Sequence, residues 1–502
     1  MKPLLFSLLT ALALPVPAVI AQNPNNPASL VEQANRLRSQ NQLAQAIRLY
    51  REAIAMDNKL ISAHYGLGVA LRQQGDFDGA IAAHRQAISL DANYLPAHYG
   101  LGVALYSKGD AQGAITAYKE AIRLSLANPS ATTPANLAAT YFNLGLAEQK
   151  RGDQAQALSA FQQAVKTDTT YAPAFNGIGT ILYQQKDYRG AIDALKKSLA
   201  LQPPNTNALF MLGVVYFEVG DFANALTAYE QVVALNPRFQ GVHYNLGLTH
   251  AKMGNHERAI EAYKQALGQD PNNGEIYEDL GNALLRRQNV GEAVTAFRRS
   301  IQLNPKSPSA YNGLGLALRR FGNLPEALEA YRQAITLDPK YAPAYNNLGR
   351  ALADQNQIPQ AIEAFRSAIT ADANNYIAYS NLGNLLLSNK DIDGAIAILQ
   401  KAISLRAQKT EEELAGNYAS LGTALAEKGN FPQAIEAYNQ AIRLFPSLAR
   451  AHFGLATLLA RQGNTSQALR SYQEALRLYE TNRDVEWINR TQEAIRALQR
   501  VS

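Results

Sequence analysis

Seven histidines are the residues of this sequence whose type best suits metal binding or general-base catalysis. They are His64, His84, His98, His243, His250, His256 and His452. No two of them have the helical spacing of a metal-ligand pair such as H-E-x-x-H. The chain also has no cysteine, which excludes thiolate metal sites, disulfide bonds and cysteine nucleophiles. We therefore expect no metal site and no cofactor, and interpret the histidines as packing residues.

The glycine-rich and arginine-rich stretches are the remaining candidates for chemistry. A Gly-x-Gly element recurs in YGLGVA, but it lies inside a predicted helix instead of at a strand-to-helix turn, so it is not a nucleotide fingerprint. Arginine pairs at 286–287, 298–299 and 319–320 form a local basic cluster. We interpret this cluster as a solvated surface, and the alternative is a site for phosphate or an acidic partner. The sequence predicts a protein that is not an enzyme.

Composition indicates a folded chain without a marked charge preference. The 502 residues carry 47 Lys and Arg against 41 Asp and Glu, a net charge of +6, and 47% are hydrophobic. Such an apolar fraction is typical of folded proteins. A net charge of +6 on a chain of this length gives little reason to expect nucleic acid as a partner.

The elements that position all of these residues are internal repeats. A Leu-Gly dipeptide recurs through the chain, and with Ala34 and Ala456 in the same place it marks thirteen repeats. Ten of the twelve spacings are 34 residues, and the other two are 43 and 39. Such a period indicates one supersecondary unit that is stacked many times.

Position-by-position alignment of the repeats shows what each unit is. Numbered from 1 to 34, the repeats have Leu or Ile at position 7, Gly at position 8, Ala at position 20 and an aromatic residue at position 24 in most or all copies. Positions 4, 7, 8 and 11 share one helical face, as do 17, 20, 21, 24, 27 and 28. Gly at position 15 suits the end of the first helix, and Asp or Asn at position 16 suits the start of the second helix. Each repeat is predicted to be a helical hairpin.

This pattern resembles the tetratricopeptide repeat (TPR) family, whose signature also includes Pro at position 32. The resemblance implies an all-α fold, a right-handed α-solenoid or superhelix of helix-turn-helix units. We expect an array over 27–482 and a capping helix over 483–502 that solvates its end. The repeats are expected to begin near residues 27, 61, 95, 138, 172, 206, 240, 274, 308, 342, 376, 415 and 449.

Two insertions interrupt the period, at 129–137 and 410–414. Thr133-Pro134 has the form of an N-cap followed by Pro at the first helical position, and Thr410 with Glu413 has the form of a capping box. Both insertions are predicted to start the next helix early. They are either tolerated loop variation or a kink or additional contact surface.

The N-terminus is predicted to be an export signal. Lys2 precedes an apolar stretch, prolines break it, and the small residue Ala21 stands at a cleavage site in residues 1–21. Residues 22–26 form an Asn- and Pro-rich lead-in that we expect to be flexible. The expected location is a bacterial periplasm, an equivalent lumen or the secreted fraction, without stable membrane insertion after cleavage; retention as an anchor is the alternative.

The family resemblance implies that the first helix of each repeat lines a concave groove. The predicted groove is aromatic towards the N-terminus and rich in amides towards the C-terminus, which suits an extended peptide. Alternatively, the aromatic side chains at position 5 pack between helices and only border the groove. Alanine at Tyr65, Tyr99 and Phe210 is expected to weaken partner binding without unfolding the array. The candidate residues are Tyr65, Tyr99, Tyr106, Phe142, Asn143, Tyr183, Phe210, Phe217, Tyr244, Asn245, Asn312, Asn346, Asn347 and Asn381.

These observations predict a non-catalytic scaffold or assembly factor that binds a protein or peptide partner. One alternative is a component of polysaccharide or cell-envelope export machinery, with a glycan in the groove. The other is a regulatory repeat subunit of a glycosyltransferase, because long arrays of similar pattern precede such catalytic domains. A chaperone-tail adaptor is not expected, because Asn312 and Leu316 stand before Asn347 where the resembling clamp has Lys and Asn.

Overall fold

The computed structural model describes residues 26–405 and 410–501. The predicted signal segment 1–21 and residues 22–25 of the lead-in lie outside the described residues. The chain divides into two compact units, Met1–Phe239 and Gln240–Ser502. Over the two described ranges the regular structure is entirely helical, with no strand.

The first unit contains six helical hairpins, each made of an A helix and a B helix. The A helices are α1 (Pro27–Ser39), α3 (Ile61–Gln74), α5 (Leu95–Lys108), α7 (Pro134–Arg151), α9 (Ala172–Gln184) and α11 (Thr206–Glu218). The B helices are α2 (Leu43–Met56), α4 (Phe77–Leu90), α6 (Ala111–Ala127), α8 (Gln154–Thr167), α10 (Tyr188–Leu201) and α12 (Phe222–Leu235).

The second unit contains seven hairpins and one further helix, α27 (Val485–Val501). Its A helices are α13 (Val242–Lys252), α15 (Gly274–Arg286), α17 (Pro308–Phe321), α19 (Ala342–Asp354), α21 (Tyr376–Ser388), α23 (Glu411–Glu427) and α25 (Ala449–Arg461). Its B helices are α14 (His256–Gln269), α16 (Val290–Leu303), α18 (Leu324–Leu337), α20 (Ile358–Ala371), α22 (Ile392–Ser404), α24 (Phe431–Leu444) and α26 (Thr465–Thr481).

Small residues let the two helices of each hairpin approach closely. The alanine at position 20 is completely buried in all thirteen repeats. The glycine at position 8 faces the large side chain at position 24 of the same repeat: a methyl group at Gly315 would lie 2.6 Å from Tyr331 Cε1, and one at Gly102 would lie 2.6 Å from Tyr118 Cδ1. The ring at position 24 therefore occupies the space that a larger residue at position 8 would need.

The turn between the helices of a hairpin has the same backbone shape in every repeat. All thirteen residues at position 15 have a positive φ, including five that are not glycine: Asn41, Lys186, Gln288, Asn356 and Lys390. All six Asp side chains at position 16 accept a hydrogen bond from a backbone N–H in the first turn of the B helix, as Asp76 does from Gly79 at 2.8 Å. Position 15 thus ends the A helix, and position 16 caps the B helix.

Both insertions lengthen the A helix that follows them at its N-terminus. Helix α7 begins at Pro134, where the Thr133 side chain accepts a hydrogen bond from the Asn136 N–H, and a short 3-10 helix (Pro129–Ala131) precedes it. Helix α23 begins at Glu411, and Thr410 and Glu413 form the capping box that the sequence indicates. In both cases the repeat gains about one helical turn.

Helix α27 packs on α26 at the end of the second unit. Trp487 stacks on Tyr479, with ring centroids 5.5 Å apart, and meets Phe453 edge to face at 5.1 Å. Leu498 packs against the neighbouring core. The outward side of the helix carries exposed residues such as Glu486 and Arg490. The predicted capping helix is thus confirmed, because it covers an apolar hairpin face with a polar one.

Candidate functional site

Within each unit, every A helix contacts the B helix of its own repeat and the A helix of the next repeat. The surface left over by these contacts is formed by positions 2, 5, 6, 9, 12 and 13 of the A helices, which we name the A-helix face. All fourteen predicted groove residues lie on it, at positions 5, 6 and 12. Thirteen of them are half-buried, and Asn346 is buried.

The aromatic side chains at position 5 pack on the core and present only part of each ring. Tyr65 lies 5.7 Å from His84 and 5.8 Å from Tyr94, measured between ring centroids. Phe210 lies 5.7 Å from Tyr229 and 5.0 Å from Phe239. Each of these rings thus contacts position 24 of its own B helix and position 34 of its own repeat. Tyr99, Phe142 and Tyr244 make the same contact with position 24. These contacts bury much of each ring at position 5. This favours the interpretation in which the rings pack between helices and only border the groove.

Hydrogen bonds link position 5 of one A helix to position 6 of the next. The Asn143 Nδ2 donates to the Tyr99 hydroxyl at 2.9 Å. In the second unit, Asn347 Nδ2 donates to Asn312 Oδ1 and Asn381 Nδ2 donates to Asn346 Oδ1, both at 2.9 Å. The amides that the sequence places on this face are therefore paired with each other across repeats. Each donor amide keeps a second N–H for a ligand.

Two of the predicted amides and rings depart from this arrangement. Asn245 Nδ2 donates at 2.9 Å to the carbonyl of Gly241, the residue before its own helix, and makes no bond between repeats within the described part of the chain. The Tyr244 hydroxyl donates to Asp279 Oδ2 at 2.9 Å. Position 5 of repeat seven therefore pairs with a carboxylate at position 6 of repeat eight.

The aromatic side chains at position 12 contact the start of their own B helix or the next repeat. Tyr183 lies 6.1 Å from Tyr188, and Phe217 lies 5.5 Å from Phe222. The Tyr106 ring lies under the Lys150 ammonium, whose Nζ is 4.6 Å from the ring centroid. The same Nζ donates to the Tyr106 carbonyl oxygen at 3.1 Å. These rings line the C-terminal side of the A-helix face.

Two charged residues of this face, Asp279 and Arg350, were missed from the sequence, whereas Arg319 belongs to the predicted basic cluster. Burial, together with the negative charges of Glu278 and Glu275, raises the pKa of Asp279 to about 6, and the hydrogen bond from Tyr244 opposes this rise. Arg319 Nε pairs with Asp354 Oδ2 at 2.6 Å, across repeats nine and ten. Arg350, at position 9 of repeat ten, is exposed on the same face. Arg350 could have been identified from the sequence, because it is a charged residue at position 9, where most repeats have an apolar or small polar residue.

The predicted basic cluster is divided between two surfaces. Arg319 and Arg320 lie on the A helix α17, whereas Arg298 and Arg299 lie on the B helix α16. Arg298 pairs with Glu326 of the next B helix, and Arg299 donates to Gln302 and Asn272. Adjacent pairs in the sequence therefore do not form one patch.

The histidines lie in packing positions, as the sequence indicates. His64, His84, His98, His243 and His250 are buried. At position 4, the Nε2 atoms of His64, His98 and His452 hydrogen-bond to the carbonyl oxygen six residues earlier, at 2.9–3.0 Å. They thereby fasten the loop that enters each A helix. Within the described ranges, no group of three or more His, Cys, Asp or Glu residues is arranged to hold a metal ion.

Models of repeat families match the chain from residue 34 to residue 483 with one short gap. A model described as the cilia and flagella-associated protein 70 C-terminal domain matches residues 203–421. Models described as tetratricopeptide repeat match residues 94–170 and 420–483, and one described as TPR repeat matches residues 34–75, 68–109 and 179–220. The repeats are tetratricopeptide repeats. Proteins of this architecture are typically non-catalytic scaffolds that bind other proteins.

Three solved structures illustrate the relationship of the TPR chain to known proteins. A chain of the APC/C hetero-tetramer Cut9-Hcn1 is 17% identical, with 93% of this chain and 97% of that chain covered and a TM-score of 0.42. Yeast Tom70 is 15% identical, with 80% and 96% covered and a TM-score of 0.40. MamA is 30% identical over 32% of this chain and 95% of its own, with a TM-score of 0.31. No curated protein matches this chain significantly.

Proposed function

We propose that this TPR protein is a non-catalytic scaffold or assembly factor that holds a segment of a partner protein on its A-helix face. The observation that carries the proposal is the set of amides and ring edges on that face. Asn347 and Asn381 each give one N–H to the neighbouring repeat and keep polar atoms for an extended backbone. Half-buried rings such as Tyr65 and Phe210 add contact area at little cost in conformational entropy.

A binding role fits the small share of described residues that lie outside the repeats. Thirteen hairpins and α27 account for nearly all of the described residues. Within these residues, any chemistry would have to be carried out by the surface of the repeats. The histidines that are best suited to such chemistry are mostly buried, and three of them hold loop carbonyls. This supports a scaffold in preference to an enzyme.

We further propose that the protein acts in a bacterial periplasm, an equivalent lumen or the secreted fraction. The support is the order of charge, apolar stretch and small residue in the segment 1–21. None of the helices in the described residues combines the length and apolarity needed to cross a membrane. N-terminal sequencing of the purified protein is expected to start near Gln22. A protein that starts at Met1 would contradict cleavage.

Site-specific photo-crosslinking in intact cells tests the binding face. A benzophenone amino acid at Asn384, exposed at position 9 of α21, samples the A-helix face, and one at Gln333, exposed on the B helix α18, is the matched control. Mass spectrometry of the adducts identifies what is bound. Protein adducts from Asn384 but not from Gln333 are expected.

The same experiment separates the alternatives. Glycan adducts at Asn384 would favour a component of polysaccharide or cell-envelope export machinery over the scaffold. A transferase among the crosslinked proteins, with transferase activity that co-purifies, would favour the regulatory subunit of a glycosyltransferase. Equal protein adducts from Asn384 and Gln333 would contradict binding on the A-helix face.

A further inference from the structure

Three arginines converge on the A-helix face where repeats nine and ten meet. Arg319 and Arg320 are neighbours on α17, and Arg350 lies on α19. Arg350 is exposed to solvent, but the atoms around its guanidinium partly desolvate it, which lowers its pKa, and the charge of Arg319 lowers it further. The three residues, named here the arginine cluster, therefore act on one another electrostatically.

The neighbouring residues neutralise only part of this charge. Arg319 pairs with Asp354. Arg320 Nη1 donates to the Leu285 carbonyl oxygen at 3.0 Å, which satisfies a helix end but brings no negative charge. Arg350 has no hydrogen-bond or ion-pair partner among the described residues. Three positive charges with one negative charge leave a local surplus of two, and one guanidinium fork is free.

A second, independent observation is an unpaired hydroxyl beside the cluster. Tyr331, at position 24 of repeat nine, is completely buried, and its hydroxyl has no partner in the described part of the chain. In repeats one, twelve and thirteen the corresponding hydroxyl bonds to position 9 of its A helix: Tyr50 to Asn35, Tyr438 to Thr423 and Tyr472 to Thr457, at 2.7–3.1 Å.

Repeat nine has Leu316 at position 9, so the Tyr331 hydroxyl lacks that partner. All three arginines lie close enough to lower the pKa of Tyr331, against the larger effect of burial that raises it. A buried donor without a partner is costly. The Tyr331 hydroxyl lies on the side of its B helix that faces the A helix of the same repeat, as do the paired hydroxyls of repeats one, twelve and thirteen.

We propose that the arginine cluster binds carboxylate side chains of an acidic segment in the partner protein. The inference rests on the proposed function and names the chemistry of that partner. A guanidinium matches a carboxylate through two parallel hydrogen bonds. The amide pairs Asn312–Asn347 and Asn346–Asn381 lie on the same A helices, α17 to α21, where they can bond the backbone of the same extended segment. This combination favours a peptide over a simple anion.

Fluorescence anisotropy with the full chain tests the proposal. The labelled peptide alternates glutamate and alanine, and its matched analogue replaces every glutamate by glutamine. We expect the glutamate peptide to bind about 10-fold tighter than the analogue, with the advantage falling as salt rises. Equal binding of the two peptides would overturn the proposal.

Substitution then locates the site. Arg350→Gln is the first variant, because Arg350 has no partner to lose among residues 26–405 and 410–501. It is expected to remove most of the preference for glutamate. Arg298→Gln with Arg299→Gln is the control, since it removes two positive charges of the same unit from the B helix α16. The control is expected to stay within about twofold of the unchanged protein. A loss in the control as large as in Arg350→Gln would show unspecific attraction and contradict the site.

A phosphoserine peptide separates carboxylate from phosphate as the ligand. Tighter binding of that peptide than of the glutamate peptide, abolished by Arg350→Gln, would replace the proposed occupant by a phosphorylated one. The proposed function fails separately: photo-crosslinking at Asn384 would then capture no protein even where the glutamate peptide binds. Conversely, if Arg350→Gln leaves protein capture and the glutamate preference unchanged, the scaffold stands and the arginine cluster does not bind its partner.

Discussion

Asn347 donates a hydrogen bond to Asn312 at 2.9 Å, joining the A helices of two successive repeats. The same bond joins Asn381 to Asn346 one repeat later, and Asn143 to Tyr99 in the first unit. Positions 5 and 6 thus form a ladder that ties neighbouring repeats together on the face proposed to bind a partner. Stability and the proposed recognition of a partner therefore depend on the same side chains.

This ladder predicts measurable coupling between repeats nine and ten. A double-mutant cycle with Asn312→Ala and Asn347→Ala is expected to give a coupling free energy of about 1 kcal/mol in urea unfolding, the usual net value of such a bond. The matched control cycle pairs Asn312→Ala with Asn282→Ala, because Asn282 is exposed at position 9 of α15. Coupling as large in the control as in the ladder pair would show that the bond contributes nothing specific.

In the eleven repeats that carry glycine at position 8, a larger residue should not be tolerated there. Gly315→Ala brings a methyl group to 2.6 Å from Tyr331 Cε1, so we expect the free energy of unfolding to fall by about 2 kcal/mol through overpacking. Gly291→Ala, in helix α16, brings its new methyl group within 4 Å of no described atom beyond the adjoining backbone of its own helix. It is expected to be neutral or to stabilise by up to ~1 kcal/mol. Denaturant midpoints of the two variants compare them directly; a Gly315→Ala variant as stable as the unchanged chain would contradict close packing at this position.

Position 15 should gain stability from glycine wherever another residue now stands. Gln288 has a φ of 62°, a conformation that costs a residue with a Cβ about 1 kcal/mol. We expect Gln288→Gly to raise the free energy of unfolding by roughly that amount, reduced by the entropy that glycine adds to the unfolded chain. Gly322→Ala at the same position, with a φ of 91°, is the reverse test and should destabilise. Calorimetric melting temperatures that move the other way would contradict this account of the turn.

His84 should make the first unit sensitive to acid. Both ring nitrogens are buried without a partner among the described residues, and burial lowers the pKa of His84 from 6.5 to about 4, with the charge of Arg72 adding to the effect. Because the unfolded chain binds the proton more readily, the contribution of His84 to stability is complete above pH 6.5. It declines as the pH falls towards 4, by about 3 kcal/mol in total.

His84→Phe tests this dependence. Phe161 and Phe297 occupy the same position between glycines of successive repeats, so the ring should fit. We expect the variant to be more stable at neutral pH by ~1 kcal/mol, because an unpaired polar group is removed, and to lose less stability between pH 6.5 and pH 4.5. Urea midpoints at both pH values give the comparison, and parallel pH profiles for the two proteins would show that His84 is not the titrating group.

The repeat itself could be predicted from sequence because each of its determinants recurs every 34 residues. The alanine at position 20, the glycine at position 8 and the cap at position 16 each meet a local structural requirement, so the sequence pattern indicates them directly. Even Lys186 and Lys390 have the positive φ of the glycines at the same position in other repeats. Ten of the thirteen A helices begin at the expected residue, and α13 begins two residues late. Helices α7 and α23, which follow the two insertions, begin four residues early.

The candidate site was less predictable because its contacts join different positions of different repeats. The sequence left open whether Tyr65 and Phe210 bind a partner or pack; both contact core rings, so alanine there also removes packing and is a poor test of binding alone. Arg350 and Asp279 gain their properties from neighbours one repeat away. Nothing in a single repeat indicates such a pairing.

The hydrogen bonds between repeats also bear on how the chain folds. The ladder bonds Asn347–Asn312 and Asn381–Asn346 each join residues 35 apart in the chain, and the Tyr438–Thr423 bond within a hairpin joins residues 15 apart. No such bond requires distant parts of the chain to find each other, so the entropy of loop closure is small and alike for every repeat. Low contact order of this kind favours rapid folding that starts at many points and extends from neighbour to neighbour. A newly made chain can therefore acquire structure one hairpin at a time, before its last repeats exist.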